Sequence, residues 1–205
     1  MSNKTNLHFP IFIQMLQDRY LPKFHFHSTH TIKMNVPVEE IYPLINNLKF
    51  QHSGITYWLM KLRGMDPPKY YSMLWFEDSR FVKLEEAPNQ EVILGIIGQP
   101  WKFGGNLQKF KPHEFIPFNN IGFIKATWSF ELVKHSSTQT ELKTETRILC
   151  ASDMVRNRFN RYWFFIKPFS GLIRKEILKG MKRQIEETYS AKLNCINRKP
   201  LFLAF

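Results

Sequence analysis

The chain has 205 residues, 43% apolar and 15% aromatic, enough to bury one sizeable core, and reads as one domain with an appendage. Its two cysteines, Cys150 and Cys195, form no CxxC pair and have no metal-ligand spacing to a histidine; this excludes a disulfide framework and fits a reducing, cytoplasmic setting. The net charge of +12 favours anionic partners (nucleic acid, anionic membrane or acidic ligands) but says nothing about fold.

No apolar run approaches the ~18 residues that span a bilayer. The apolar stretch at residues 7–13 is followed at once by Gln14, Gln17, Asp18 and Arg19, with no small-residue cleavage site, so no signal peptide is expected. Residues 1–8 are polar and expected to be loose. Residues 9–20 read as a short amphipathic helix through Ile13, Leu16 and Tyr20, ended by Pro22. Residues 24–36 read as a strand. Phe24, Phe26, Ser28, His30, Ile32 and Met34 share its core face, and His25, His27, Thr29, Thr31 and Lys33 the other.

Pro37 and the acids Glu39 and Glu40 open a helix that Pro43 keeps short or kinks. A second helix fits residues 55–63, with Ile55, Leu59 and Leu62 on one side, Gly64 as its cap and Pro67-Pro68 as its stop. Short strands are expected at 71–76, 80–86 and 92–97. Gly95 and Gly98 in the third suggest a bulge or a close backbone approach. Residues 99–120, with Pro100, Gly104-Gly105, Pro112 and Pro117, read as a long excursion holding at most one weak strand, of the kind that often forms a lid.

From Gly122 to Lys134 the alternation is clean. Ile124, Ala126, Trp128, Phe130 and Leu132 face in; Lys125, Thr127, Ser129 and Glu131 face out. A turn at 135–138 leads to a strand with Leu142, Thr144, Thr146, Ile148 and Cys150 inward. Ser152 or Asp153 then caps a long helix whose buried stripe runs through Val155, Phe159, Tyr162, Trp163, Ile166, Ile173, Ile177, Met181, Ile185 and Tyr189, with Pro168 and Gly171 breaking or kinking its middle. Strand, two helices, a run of strands and one long helix mean an α+β architecture, and this order resembles the helix-grip fold, a curved antiparallel sheet wrapped around a long C-terminal helix. Residues 1–23 would be an N-terminal extension, 24–192 the domain and 193–205 a tail.

Several ordered pieces carry a resemblance: His27-Ser28-Thr29-His30-Thr31-Ile32, Leu62-Arg63-Gly64, Leu94-Gly95-Ile96-Ile97-Gly98, Ala126-Thr127-Trp128-Ser129-Phe130, Thr144-Glu145-Thr146-Arg147-Ile148, and Arg161-Tyr162-Trp163 with Ser170-Gly171-Leu172-Ile173-Arg174. Together, over about residues 24–190, they resemble a bacterial family of the START-like (SRPBCC) superfamily. Gln99-Pro100 before Trp101 departs from that pattern, where a bulky apolar residue is usual. The superfamily includes lipid carriers, plant hormone receptors, polyketide cyclases and coenzyme Q-binding proteins. The resemblance implies the fold and a pocket; it transfers no substrate and no catalytic set.

His30 lies on the apolar parity, where a histidine is costly unless its nitrogens are paired. It is either a satisfied core residue or a group that binds a ligand or acts as a general acid or base. Thr144 and Thr146 face in and offer two hydroxyl handles, although threonine also favours strands for its own sake. Arg147 falls on the outer face; an ion pair with Asp153 is expected there, and only a bulge would turn it inward onto a ligand carboxylate. Trp101, Phe103, Trp128, Phe130, Phe159, Tyr162 and Trp163 are candidates to line a pocket. His25 and His27 have no neighbouring carboxylate, and neither glycine pair belongs to a phosphate loop, so no metal and no cofactor is expected.

From Asp153 to Lys192 the last helix carries ten Lys/Arg against four Asp/Glu. Arg156, Arg174, Lys175, Lys179, Lys182 and Arg183 recur at spacings that place several on a face away from the buried stripe. That face is either plainly solvated or a contact for anionic membrane or nucleic acid. The function these features favour is binding of a hydrophobic or amphipathic small molecule (lipid, polyketide or isoprenoid-like) in an internal cavity. The alternatives are a cyclase- or dehydratase-type enzyme with His30 as acid/base and Thr144 or Arg147 orienting a carbonyl, or association of the basic surface with anionic membrane or nucleic acid.

Overall fold

The computed structural model describes residues 15–45, 54–62, 64 and 80–197. The loose start, the first part of the helix at 9–20, the strand expected at 71–76, the Pro67-Pro68 stop, the facing of Ile55 and Leu59 and the end of the tail lie outside the described residues.

Among the described residues, five strands form one antiparallel sheet in the order β1-β5-β4-β3-β2: β1 Phe26–Met34, β2 Val82–Ala87, β3 Glu91–Gly98, β4 Ile124–Lys134 and β5 Thr140–Cys150. Four helices accompany them among the described residues: α1 Leu16–Tyr20, α2 Val38–Ile45, α3 Gly54–Leu62 and α4 Asp153–Asn197. The last is 45 residues long. Two 3-10 turns, Phe103–Asn106 and Pro112–Glu114, and no strand, occupy the excursion between β3 and β4. This is a helix-grip architecture, an antiparallel sheet packed against one long C-terminal helix.

The helix-facing side of the sheet follows from period-two alternation. Met34, Leu142, Phe130, Leu132, Val92 and Leu94 meet Ile177, Leu178, Met181 and Ile185 of α4 in one apolar core, closed at the end by Val38, Ile41 and Ile45 of α2. Toward the start of α4, Val155 and Phe159 meet Ile124, Ala126, Ile148 and Cys150 in a second core. Burying each such side chain contributes about 1.5–3 kcal/mol. Ser152 caps α4, its Oγ accepting the Val155 N–H at 3.3 Å. The helix runs on through Pro168 without a break; proline removes one backbone donor there, and the walls on either side hold the remaining turns.

On the outer side of the sheet, where Thr127 and Ser129 are expected to face, the strands are covered in turn. Thr127 and Ser129 are buried there, with Gln17 of α1 bonded to both. Leu21, Leu84, Ile93, Ile97 and Phe115 form a third core there. Gln17, also wholly buried, donates from Nε2 to Thr127 Oγ1 at 3.0 Å and accepts from Ser129 Oγ at 2.9 Å. The excursion is pinned by Lys125, whose Nζ donates to the carbonyls of Phe115 and Ile116; burial holds its pKa below the usual lysine value.

Gly95 answers to a close approach. Leu84 is the extra residue of a bulge in β2, between the pairs Lys83↔Leu94 and Glu85↔Ile93. A Cβ on Gly95 would stand 2.8 Å from the Leu84 side chain, so glycine is what lets the bulged leucine fold onto β3. Gly64 closes α3 as expected, at φ +70° with its N–H donating to the Lys61 carbonyl.

Candidate functional site

Between the sheet and α4 lies a cavity of ≈ 220 Å³. Its sheet wall is Ile96 of β3, Ile124, Ala126 and Trp128 of β4, and Thr146 and Ile148 of β5. Its helix wall is Phe159, Tyr162, Trp163 and Ile166 before Pro168, then Ser170, Ile173, Arg174 and Ile177 after it. Pro100, Lys102, Gly104, Gly105 and Leu107 of the excursion also line it, with Met60 of α3, Phe81, and Thr127 of β4, and the exposure of Lys102 and Gly104 makes this turn the rim. Along α4 the lining spans about 27 Å at 1.5 Å per residue, so the space is a slot.

Of the aromatics singled out in the sequence, Trp128, Phe159, Tyr162 and Trp163 border this slot. Phe159 and Trp163 stack with ring centres 5.6 Å apart. Trp101 packs at the edge of the neighbouring core instead. Phe130 is buried beneath Trp128, ring centres 4.9 Å apart. Phe103 is 83% exposed, with its ring laid against Gly64.

The two threonines part company. Thr144 Oγ1 accepts the Trp128 indole N–H and donates to the Ser129 carbonyl at 2.8 Å, so it is a structural link that fixes the indole and does not border the cavity. Thr146 borders the cavity, and its Oγ1 is buried with no hydrogen-bond partner among the described residues.

Arg147 stays on the outer face, since β5 pairs with both neighbours without a register shift. Its partners are Glu145, Nε to Oε1 at 2.9 Å, and Asp18 of α1, Nη1 to Oδ1 at 2.5 Å. This corrects the expected pairing: Asp153 is bound instead to Arg156 one turn along the helix, at 3.1 Å. Burial alone would lower the Arg147 pKa, but the hydrogen bonds it donates to Glu145 and Asp18 outweigh it and raise it. Arg147 therefore clamps α1 to the sheet and is remote from the cavity.

His30 does not border the cavity either. It lies in a separate depression at the β1 edge with Ser28, Lys167, Pro168, Gly171, Leu172 and Lys175. A Cβ on Gly171 would stand 3.6 Å from Nε2, and Nδ1 is buried without a hydrogen-bond partner among the described residues. Burial first, then the nearby Arg174 and Lys175 charges, push its pKa below the ordinary histidine value. His25 instead accepts the Cys150 N–H at Nδ1, 3.1 Å away. Burial drives the Cys150 thiol up to about 11, which keeps it protonated and inert.

Arg174 is the residue that sequence reading placed wrongly, on the basic outer face. Its guanidinium borders the cavity, Cζ lies 5.7 Å from the Trp128 ring centre, and Nη1 is buried with no hydrogen-bond partner among the described residues. Burial lowers its pKa to about 10. The signal was in the period: Ser170, Arg174, Ile177, Met181 and Ile185 step by four, three, four and four along the buried stripe.

No protein-family model and no curated protein matches the chain. Among solved structures it is similar to a conserved protein from Geobacillus kaustophilus, at 13% identity over 80% of this chain and 97% of that one, TM-score 0.42. It is also similar to a point mutant of norcoclaurine synthase from Thalictrum flavum bound to a transition-state analogue, at 9% identity over 80% and 96%, TM-score 0.40. A START superfamily protein from Mycobacterium smegmatis follows at 10% identity over 79% and 98%, TM-score 0.37. None of these likenesses is close, and the fold rests on the strand order and the helix described above.

Proposed function

We propose that the protein binds a small hydrophobic or amphipathic molecule in the slot between the sheet and α4. One observation carries this reading: an aromatic-lined cavity of ≈ 220 Å³ runs between elements whose cores are otherwise closed. An apolar cavity of about 150 Å³ already admits benzene, so a ring with a substituent or a slender chain fits. Ligand pockets commonly run to about 300–1,000 Å³; this one lies below that range, which makes full enclosure of a two-chain lipid too large a demand. The enzymatic alternative gains no support, because His30 is separated from the cavity. The test is binding of Nile red, a neutral lipophilic probe. Wild type should bind it, and Ala126→Trp, which fills the floor of the slot, should abolish binding while the protein stays folded. Absence of binding, or binding unaffected by Ala126→Trp, overturns the reading.

A second reading, docking to an anionic membrane, is favoured by the outer side of α4. Arg161, Phe164, Phe165, Pro168, Leu172, Lys175 and Lys179 fall on one side of the helix, and all are exposed. Apolar groups bracketed by cations suit a headgroup layer. The expected result is salt-sensitive co-sedimentation with vesicles containing phosphatidylserine, lost in Phe164→Ser/Phe165→Ser/Leu172→Ser. Equal binding to pure phosphatidylcholine, or binding to duplex DNA and to neither vesicle, overturns it.

A further inference from the structure

The cavity wall holds a cation that the fold does not use. Arg147, on the other face of the same sheet, is matched by two carboxylates. No ion pair involves Arg174 among the described residues, yet its Nη1 is sealed from solvent. A buried guanidinium has no acceptor function and cannot shed its charge at physiological pH, even with its pKa lowered to about 10. Leaving such a donor unmade costs more than a buried apolar side chain of the same size would. The Trp128 ring face supplies part of the compensation.

A second unmade group lines the same cavity. Thr146 lies directly across from Trp128 in the β4–β5 register, on the same face of the sheet. Adjacent cross-strand side chains are about 5 Å apart at Cβ, so Thr146 Oγ1 and the Arg174 guanidinium both flank the indole. Ser170, one turn before Arg174, lines the same space. The remaining sheet wall, through Ala126, Ile148 and Ile124 toward Phe159, is apolar. The slot is therefore polar and positive at the Trp128 level and greasy toward the start of α4. The other cation in the lining, Lys102, is exposed at the rim and hydrated.

We infer that the ligand is a slender amphipathic monocarboxylic acid, its carboxylate accepting hydrogen bonds from Arg174 and Thr146 and its chain or ring lying against Ala126, Ile148 and Phe159. This rests on the cavity-binding reading and adds the charge, the orientation and the residue that reads the head group. Arginine suits a carboxylate because its planar fork presents two parallel donors. A charged hydrogen bond formed away from water supports at least about a tenfold preference for acid over the matching alcohol.

The test compares dodecanoate with dodecan-1-ol, which share a chain and differ in the head group, by displacement of Nile red. Wild type should bind dodecanoate at least about tenfold more tightly than the alcohol. Arg174→Met, which keeps the length of the side chain and removes its charge, should erase or invert that preference while Nile red and dodecanol still bind. Thr146→Val should weaken dodecanoate by a smaller factor, and Lys102→Met should leave the preference in place. Equal affinity of wild type for acid and alcohol, or a preference that survives Arg174→Met, overturns the inference while leaving the cavity reading standing. Failure of Nile red and of both chains to bind wild type overturns the cavity reading itself. A preference removed by Lys102→Met assigns the acid to the rim and also overturns the inference.

Discussion

Arg147, on the outer face of the sheet, and Arg174, which reaches the inner face from α4, are in opposite electrostatic positions. Arg147 has Glu145 beside it in β5 and Asp18 in α1, and the pairing outweighs its burial. Arg174 has an indole face and a cavity, and burial alone governs its pKa. A fold needs the first kind of arginine: its charge is spent on joining two distant parts of the chain. It gains nothing from the second kind unless something else arrives to meet the charge. The contrast separates a cation that builds the domain from one that waits for a ligand.

The largest effect expected from breaking this comparison is at Arg147. Arg147→Met leaves the Glu145 carboxylate buried without a counter-charge and should lower stability by about 3 kcal/mol, the low end for a broken buried pair because Asp18 remains partly hydrated. Arg174→Met should leave the urea midpoint of the ligand-free protein unchanged or raise it, since no carboxylate among the described residues is orphaned and an unmatched charge is removed. Equal losses at the two positions would mean that both arginines are structural.

The two faces were also unequally legible in the sequence. Period-two alternation in β4 and β5 identified the helix-facing residues, Thr146 among them, and set Arg147 on the far side. It could not identify Asp18 as the partner, because that contact closes a loop of 129 residues and no local pattern encodes it. The same blindness hid the cover over Thr127 and Ser129, read only as facing out: the element that covers the second face of an alternating strand lies far away in sequence. Arg174 is a different failure. It was grouped by spacing with the cations of the outer face, although its steps of four from Ser170 and three to Ile177 also fit the buried stripe. Thr144 and Thr146 share parity and type; only the position of the Trp128 N–H tells the saturated hydroxyl from the free one. His30 was correctly placed on the inner parity, but β1 is the edge strand, so its inner face looks into the depression under Gly171 and not into the slot.

A middle-sized effect should mark the outer network at Gln17. Gln17→Ala removes the partner of two buried hydroxyls, Thr127 and Ser129, and should cost about 1–3 kcal/mol in urea unfolding. If the faces are as independent as the two arginines suggest, Nile red affinity should not change. A parallel loss of probe binding would show that α1 holds the slot in shape through the thickness of the sheet, and the division into a building face and a binding face would fail.

The smallest expected effect tests how far the Arg174 charge reaches. His30 faces Arg174, Lys175 and Lys167 from α4, Ser28 from its own strand and Thr144 from β5. Its folded-state pKa lies below the ordinary value of 6.5 through burial, then through the Arg174 and Lys175 charges. Between the two values the unfolded chain binds the proton and the folded chain does not, so stability is fully present above the unfolded pKa and falls as pH drops through the native one. Urea midpoints from pH 8 to pH 5 should therefore decline below about pH 6.5, and His30→Asn should flatten that decline. Arg174→Met removes one repelling charge and should move the His30 titration, followed by its ring-proton resonance, up toward the ordinary value. A His30 titration indifferent to Arg174→Met would mean that the guanidinium charge is already neutralised in the ligand-free protein, and the contrast between the two arginines would close.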